Sequence, residues 1–139
     1  MRYISTRGGM EAKSLSDILL MGLAPDGGLT MPESFVQFSK EQLSEMAKLS
    51  YSELAYEILK SFVDDIPEAN LKDLAARTYT AEVYCNGRTP EKASEITPLS
   101  KLEDDLYIQE LSNGPTLAFK DMAMQLLGNL FEYALEAKN

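Results

Sequence analysis

The chain has 139 residues, 45% hydrophobic and 25% charged, with a formal net charge of −9, no histidine and the single cysteine Cys85. Such a length and composition suit one soluble globular domain. The negative charge argues against binding to nucleic acid or to an anionic membrane, both of which need a cationic face. One cysteine and no histidine exclude a disulfide framework, a cysteine zinc site, Ser-His-Asp and Cys-His catalysis, and histidine-ligated metals within the chain, so no metal ligand is expected.

No run of about 18 apolar residues is present to span a bilayer. The opening "MRYISTRGGM" carries charge without an apolar stretch behind it, so no signal peptide is expected and the cytoplasm is the expected location.

In chain order, "YISTRGG" reads as a short strand stopped by Gly8 and Gly9. Ser14, with Asp17 three residues on, predicts a helix N-terminus; Leu15, Ile18, Leu19 and Leu23 are read as its apolar face, and Gly22 as its stop. "APDGGLTMPE" predicts a turn, then an extended piece over 29–31 closed by Pro32. Capping boxes at Ser39/Gln42 and Ser50/Glu53 predict two further helices, with apolar residues three and four apart. Asp65 with Glu68, aided by Pro67, predicts a third, carrying Leu71, Leu74 and Ala75. These apolar faces read as core.

From 78 to 104 the periodicity fades, and "YCNGRTPEKASE" reads as a connecting loop with some extended backbone. "LYIQEL", residues 106–111, has the length and residue types of a strand. A helix is then expected over 116–138, so apolar that it must be covered nearly all round. Only one strand precedes it to lie beneath, whereas a parallel βαβ unit needs another after the helix. A piece of a longer protein is expected, or a helix that buries itself on a partner chain.

The stretch "NGPTLAFKD", residues 113–121, places Lys120 in the first turn expected of that helix. A cation at a helix N-terminus is unfavourable by about 0.3–1 kcal/mol. Either Lys120 bends into water, or the position calls for an amine that loses its proton easily. Gly114 and Pro115 give a tight approach to the helix and Thr116 is a candidate cap. Phe119 suits either a pocket wall or core packing. Asp121 suits the helix dipole and reads as a structural or orienting group, and Arg7 reads as a surface arginine that could reach a phosphate.

"TPL" at 97–99 followed by "NGPTLAFKD" resembles the pyridoxal-phosphate enzymes of the tryptophan-synthase-like fold type II. "GPTLAFKD" is similar to the threonine synthase family in particular, as are the leader segments "YISTRGG" and "APDGGLTMPE". The resemblance covers almost the whole chain, most strongly 1–35 and 97–135. It implies that Lys120 carries pyridoxal 5'-phosphate as a Schiff base and is the catalytic residue, with Phe119 and Thr116 as further candidates for cofactor contact. It also implies conversion of O-phospho-L-homoserine and water to L-threonine and phosphate.

The implied fold class is α/β, rich in helix. A small, mainly helical N-terminal domain with short strands would span 1–79, a connecting segment 80–105, and the truncated start of the cofactor-binding domain 106–139. No glycine-rich nest for the cofactor's phosphate lies near Lys120, so the remainder of the catalytic domain, or another chain covering the last helix, is the expected partner. The chain alone is expected to be inactive. A non-catalytic interaction module derived from such an enzyme, and a related fold type II lyase or dehydratase acting on another amino acid, remain alternatives.

Overall fold

The computed structural model describes residues 1–87, 89–92 and 95–138. The parts of the expected connecting loop at 88, 93 and 94 lie outside the described residues, as does residue 139.

The N-terminal unit begins with strand β1, Tyr3–Ser5, which pairs antiparallel with β2, Thr30–Pro32, in the register Tyr3↔Pro32 and Ser5↔Thr30. The two extended pieces seen in the sequence thus form one small ribbon. Between them runs helix α1, Leu15–Met21, started by Ser14, whose Oγ accepts the Asp17 N–H at 3.3 Å. It stops where Gly22 takes φ 78°, a conformation that glycine adopts without steric cost.

Both capping boxes form. Helix α2, Lys40–Met46, has the Ser39 N–H on Gln42 Oε1 at 2.8 Å, and helix α3, Tyr51–Leu59, has the Ser50 N–H on Glu53 Oε2 at 2.9 Å. Helix α4, Glu68–Thr78, departs from expectation at its start. Pro67 stands in the cap position without a side-chain bond, because Asp65 turns away to accept the Ser16 N–H of α1 at 2.8 Å. Asp65 therefore ties two helices together instead of capping one.

The core gathers Tyr56 from α3, Val63 and Ile66 from the following turn, and Leu71, Leu74 and Ala75 from α4. Burying a side chain such as Leu71 or Leu74, each 1% exposed, contributes about 1.5–3 kcal/mol. The Tyr3 hydroxyl donates to the Phe62 carbonyl at 2.9 Å and fastens the ribbon to this core.

Beyond α4 the structure corrects the sequence reading twice. First, the segment expected to connect contains strand β3, Leu99–Glu103, which pairs antiparallel with β4, Leu106–Gln109, as a hairpin. Its two-residue turn, Asp104 and Asp105, needs a left-handed residue, and Asp105 supplies it at φ 63°. Second, helix α5 runs Asp121–Lys138, beginning five residues later than expected.

Helix α5 packs on α4 and α1 and puts Leu130 into the common core, with Ala134 buried beside it. Among the described residues it is covered on one side only: Met124 and Leu135 stay exposed, as do Leu99, Leu102 and Tyr107 of the hairpin. No parallel strand pair occurs among the described residues.

Candidate functional site

Between the hairpin and α5 the backbone makes a compact loop over 113–120, and its base is anchored first. Asn113 and Gly114 are buried. The Asn86 N–H donates to the Asn113 carbonyl at 3.1 Å, and Asn86 Nδ2 donates to the Gly114 carbonyl at 3.1 Å. Gly114 also accepts the Leu117 N–H at 3.1 Å, closing a β-turn.

The far side is closed by Asp121. Its carboxylate, on a residue 2% exposed, accepts the Thr116 N–H at 2.8 Å and the Thr116 hydroxyl at 3.0 Å. The Thr116 oxygen in turn accepts the Ala118 N–H at 3.4 Å. Thr116 therefore does not cap α5, as the sequence suggested; it holds the loop shut across Asp121. Bonds of this charge-assisted kind are about twice as strong as neutral ones.

The closed loop carries strain. Leu117 has φ 60°, which costs a non-glycine residue roughly 1–2 kcal/mol and persists only where surrounding bonds dictate it. Past it, Asp121 and Met122 donate to the Ala118 and Phe119 carbonyls at 3.0 and 3.2 Å, so the chain tightens before the helix starts.

Lys120 is the last residue of this loop, not a member of the helix's first turn. Its carbonyl accepts the Ala123 and Met124 N–H groups at 3.0 and 2.9 Å, which makes it the cap residue of α5. Its side chain is exposed, and its amine has no hydrogen bond or ion pair among the described residues. Phe119 is 64% exposed, so it packs into no core among the described residues. Arg7 donates to the Asp26 carbonyl at 3.2 Å, within its own N-terminal ribbon.

Two tyrosines that the sequence reading left without a role fix where the loop meets the helix. The fully buried Tyr84 donates its hydroxyl to the Asp121 carbonyl at 2.9 Å, and Tyr79 donates to the Met122 carbonyl at the same distance. Their rings stack 6.0 Å apart. Burial pushes the Tyr79 hydroxyl up to about 12 and raises that of Tyr84 as well, so both remain protonated donors at neutral pH. Their placement in "TYTAEVY", a polar stretch with little else to bury, was the available signal.

The donor set has a definite chemical character. An exposed, unpaired primary amine on an ordered loop can form a covalent bond with a carbonyl group. It is the only cation in 113–121, and the Thr116, Leu117 and Ala118 N–H groups are bonded within the loop. Among the described residues no cluster of acidic or sulfur ligands could hold a metal ion. The residues present thus suit the attachment of a carbonyl-bearing group at Lys120.

Fold and loop together give five helices and two small antiparallel sheets, in which a helical N-terminal unit supports a lysine-bearing loop. The model of a family described as "Threonine synthase N terminus" matches residues 2–79. The chain is 59% identical over 138 residues to threonine synthase of Methylobacillus glycogenes, covering 99% of this chain and 29% of that protein. It superposes on the structure of pyridoxal-phosphate-bound threonine synthase from Brucella melitensis with a TM-score of 0.87 and 37% identity, covering 99% of this chain and 28% of that one. For the yeast threonine synthase structure the TM-score is 0.84 and the identity 39%, again over 99% of this chain and 27% of the other. The chain belongs to the threonine synthase family, matches its N-terminal portion, and spans under a third of the length of these relatives.

Proposed function

We propose that the chain is the N-terminal portion of an enzyme that converts O-phospho-L-homoserine and water to L-threonine and phosphate, with Lys120 as its cofactor-bearing catalytic residue. The observation that carries this reading is the exposed amine of Lys120, without a partner among the described residues, on a loop ordered by buried partners, in a chain so similar to threonine synthases.

On this reading residues 1–79 form a supporting helical domain, 80–105 a connection that includes β3, and 106–139 the opening of the fold type II catalytic domain. The exposed apolar residues of β3, β4 and α5 are covered by the remainder of that domain, and the enzyme works in the cytoplasm. Pyridoxal 5'-phosphate, when bound, supplies an electron sink for carbon-centred negative charge. Lys120 Nζ holds the cofactor between turnovers, and as a free amine it takes and returns protons at the substrate carbons. Phe119, exposed beside it, walls the cofactor from water. Thr116 contributes by holding the loop, since its hydroxyl is engaged by Asp121. The phosphate of the cofactor and most of the substrate are bound by residues outside this chain, which alone is inactive.

The test is borohydride reduction of the full-length protein as isolated, followed by a peptide map and an assay for threonine formation. A phosphopyridoxyl group on Lys120, with turnover that Lys120→Ala abolishes, is the expected result. An adduct at another lysine, or turnover that survives Lys120→Ala, would overturn the assignment.

A further inference from the structure

We infer that Asp121 and Thr116 form a latch that aims Lys120, and that Asp121 is therefore a positioning residue for the cofactor-bearing amine. The inference rests on the role proposed for Lys120 and goes beyond it.

Three observations carry it. The Asp121 carboxylate is buried and spends its hydrogen bonds on the Thr116 N–H and hydroxyl, five residues earlier, so it closes the loop that ends in Lys120. The closure leaves no slack: a Cβ on Gly114 would lie 2.4 Å from Asp121 Cβ and 2.5 Å from its Oδ2. And the peptide behind Asp121 is itself immobilised, its carbonyl held by the buried Tyr84 hydroxyl at 2.9 Å. Lys120 is thus fixed from both sides, through the closed loop before it and the anchored helix start after it. The strained Leu117 shows that these bonds, and not local preference, set the loop's shape.

An acid next to a lysine has other possible uses, and they predict different outcomes. If Asp121 acted as a neighbouring charge, its loss would make an amine easier to deprotonate and faster to react with an aldehyde. If it only stabilised the fold, its loss would lower the melting temperature without changing which lysine reacts. A latch predicts slower reaction at Lys120 alone, since a misplacement of about 1 Å can cost as much as a hundredfold in rate.

The experiment uses the full-length protein stripped of cofactor and then incubated briefly with pyridoxal phosphate before borohydride reduction. Peptide mapping gives the ratio of adduct on Lys120 to adduct on Lys72, an exposed lysine of α4. Asp121→Asn is expected to lower that ratio about tenfold and Thr116→Val about threefold, while Thr116→Ser, which keeps both donors, stays near wild type. Should Asp121→Asn fail to fold, the Thr116→Val and Thr116→Ser pair decides. Ratios unchanged or raised in Asp121→Asn and Thr116→Val, with Lys120 still the labelled site in wild type, would overturn the latch while leaving the role of Lys120 intact. A wild-type protein that shows no preference for Lys120 would overturn both.

Discussion

Gly114→Ala is expected to destabilise the protein sharply, although the change adds a single methyl group. The new Cβ would stand 2.4 Å from Asp121 Cβ, 2.5 Å from Oδ2 and 2.8 Å from Cγ, all too close for any real Cβ contact. Relief can come in two ways. If Asp121 moves, its bonds to Thr116 break, and hydrogen bonds to a charged group are worth about 1.5–3 kcal/mol. If the backbone at 114 moves, the Asn86 bond and the packing of a buried segment are disturbed, at a cost of about 1–3 kcal/mol. The protein relaxes by whichever route costs less, so a loss of about 1–3 kcal/mol follows. Gly128 provides the control. It lies inside α5 with nothing within 4 Å of its would-be Cβ, so Gly128→Ala should stabilise by about 0.5–1 kcal/mol through helix propensity alone. At about 4 °C per kcal/mol for a chain of this size, thermal melts should show Gly114→Ala down by roughly 4–12 °C and Gly128→Ala up by roughly 2–4 °C. Urea titration should rank them the same way. A Gly114→Ala protein within about 0.5 kcal/mol of wild type would show that Asp121 is not packed against the loop as described, and would refute the reasoning.

Tyr84→Phe removes one buried hydroxyl and deprives the Asp121 carbonyl of its donor; a loss of about 1–2 kcal/mol in urea unfolding is expected, with faster amide exchange at the start of α5. Ser39→Ala and Ser50→Ala each delete one capping box, at about 1 kcal/mol of local helix stability. Helix α2 has no buried residue whereas α3 contributes Tyr56 to the core, so hydrogen exchange should show Ser39→Ala loosening α2 alone while Ser50→Ala also lowers the global midpoint. Asp26 accepts bonds from the Ser5 hydroxyl and from the Gly28 and Gly9 N–H groups, which together hold its carboxyl below the usual range. Because its folded value is the lower one, its contribution is present above about pH 4, the unfolded value, and disappears as pH falls through the folded value. Acid titration of stability should therefore be shallower below pH ~4 in Asp26→Asn than in wild type.

What the sequence disclosed and what it hid have a common physical cause. Ser14, Ser39 and Ser50 mark helix starts because their partners lie three residues away, so the signal and the bond share one short window. Asp65 misled because its partner, the Ser16 N–H, lies on a helix far back in the chain. Strand β3 went unread since "LSKLE" has little strand character of its own and is extended because β4 pairs with it across a two-residue turn. The start of α5 was misplaced for a subtler reason. "GPT" has the chemistry of a helix opening, but the buried Asp121 claims both Thr116 donors and folds 115–120 into a loop. Lys120 itself stood out from its position and from the string around it, whereas the tyrosines that secure its surroundings act through bonds spanning 43 and 37 residues.

Those two spans also set an order of assembly. The helices of the N-terminal unit can form from neighbouring contacts, guided by their own caps. The start of α5 has to wait, because the hydroxyls that hold it reach across roughly forty residues and such closures come at an entropic cost that local turns avoid. A nascent chain would therefore carry Lys120 on a slack segment until the helical unit beneath has consolidated. The amine is presented in a fixed direction only by a chain whose first half has already folded.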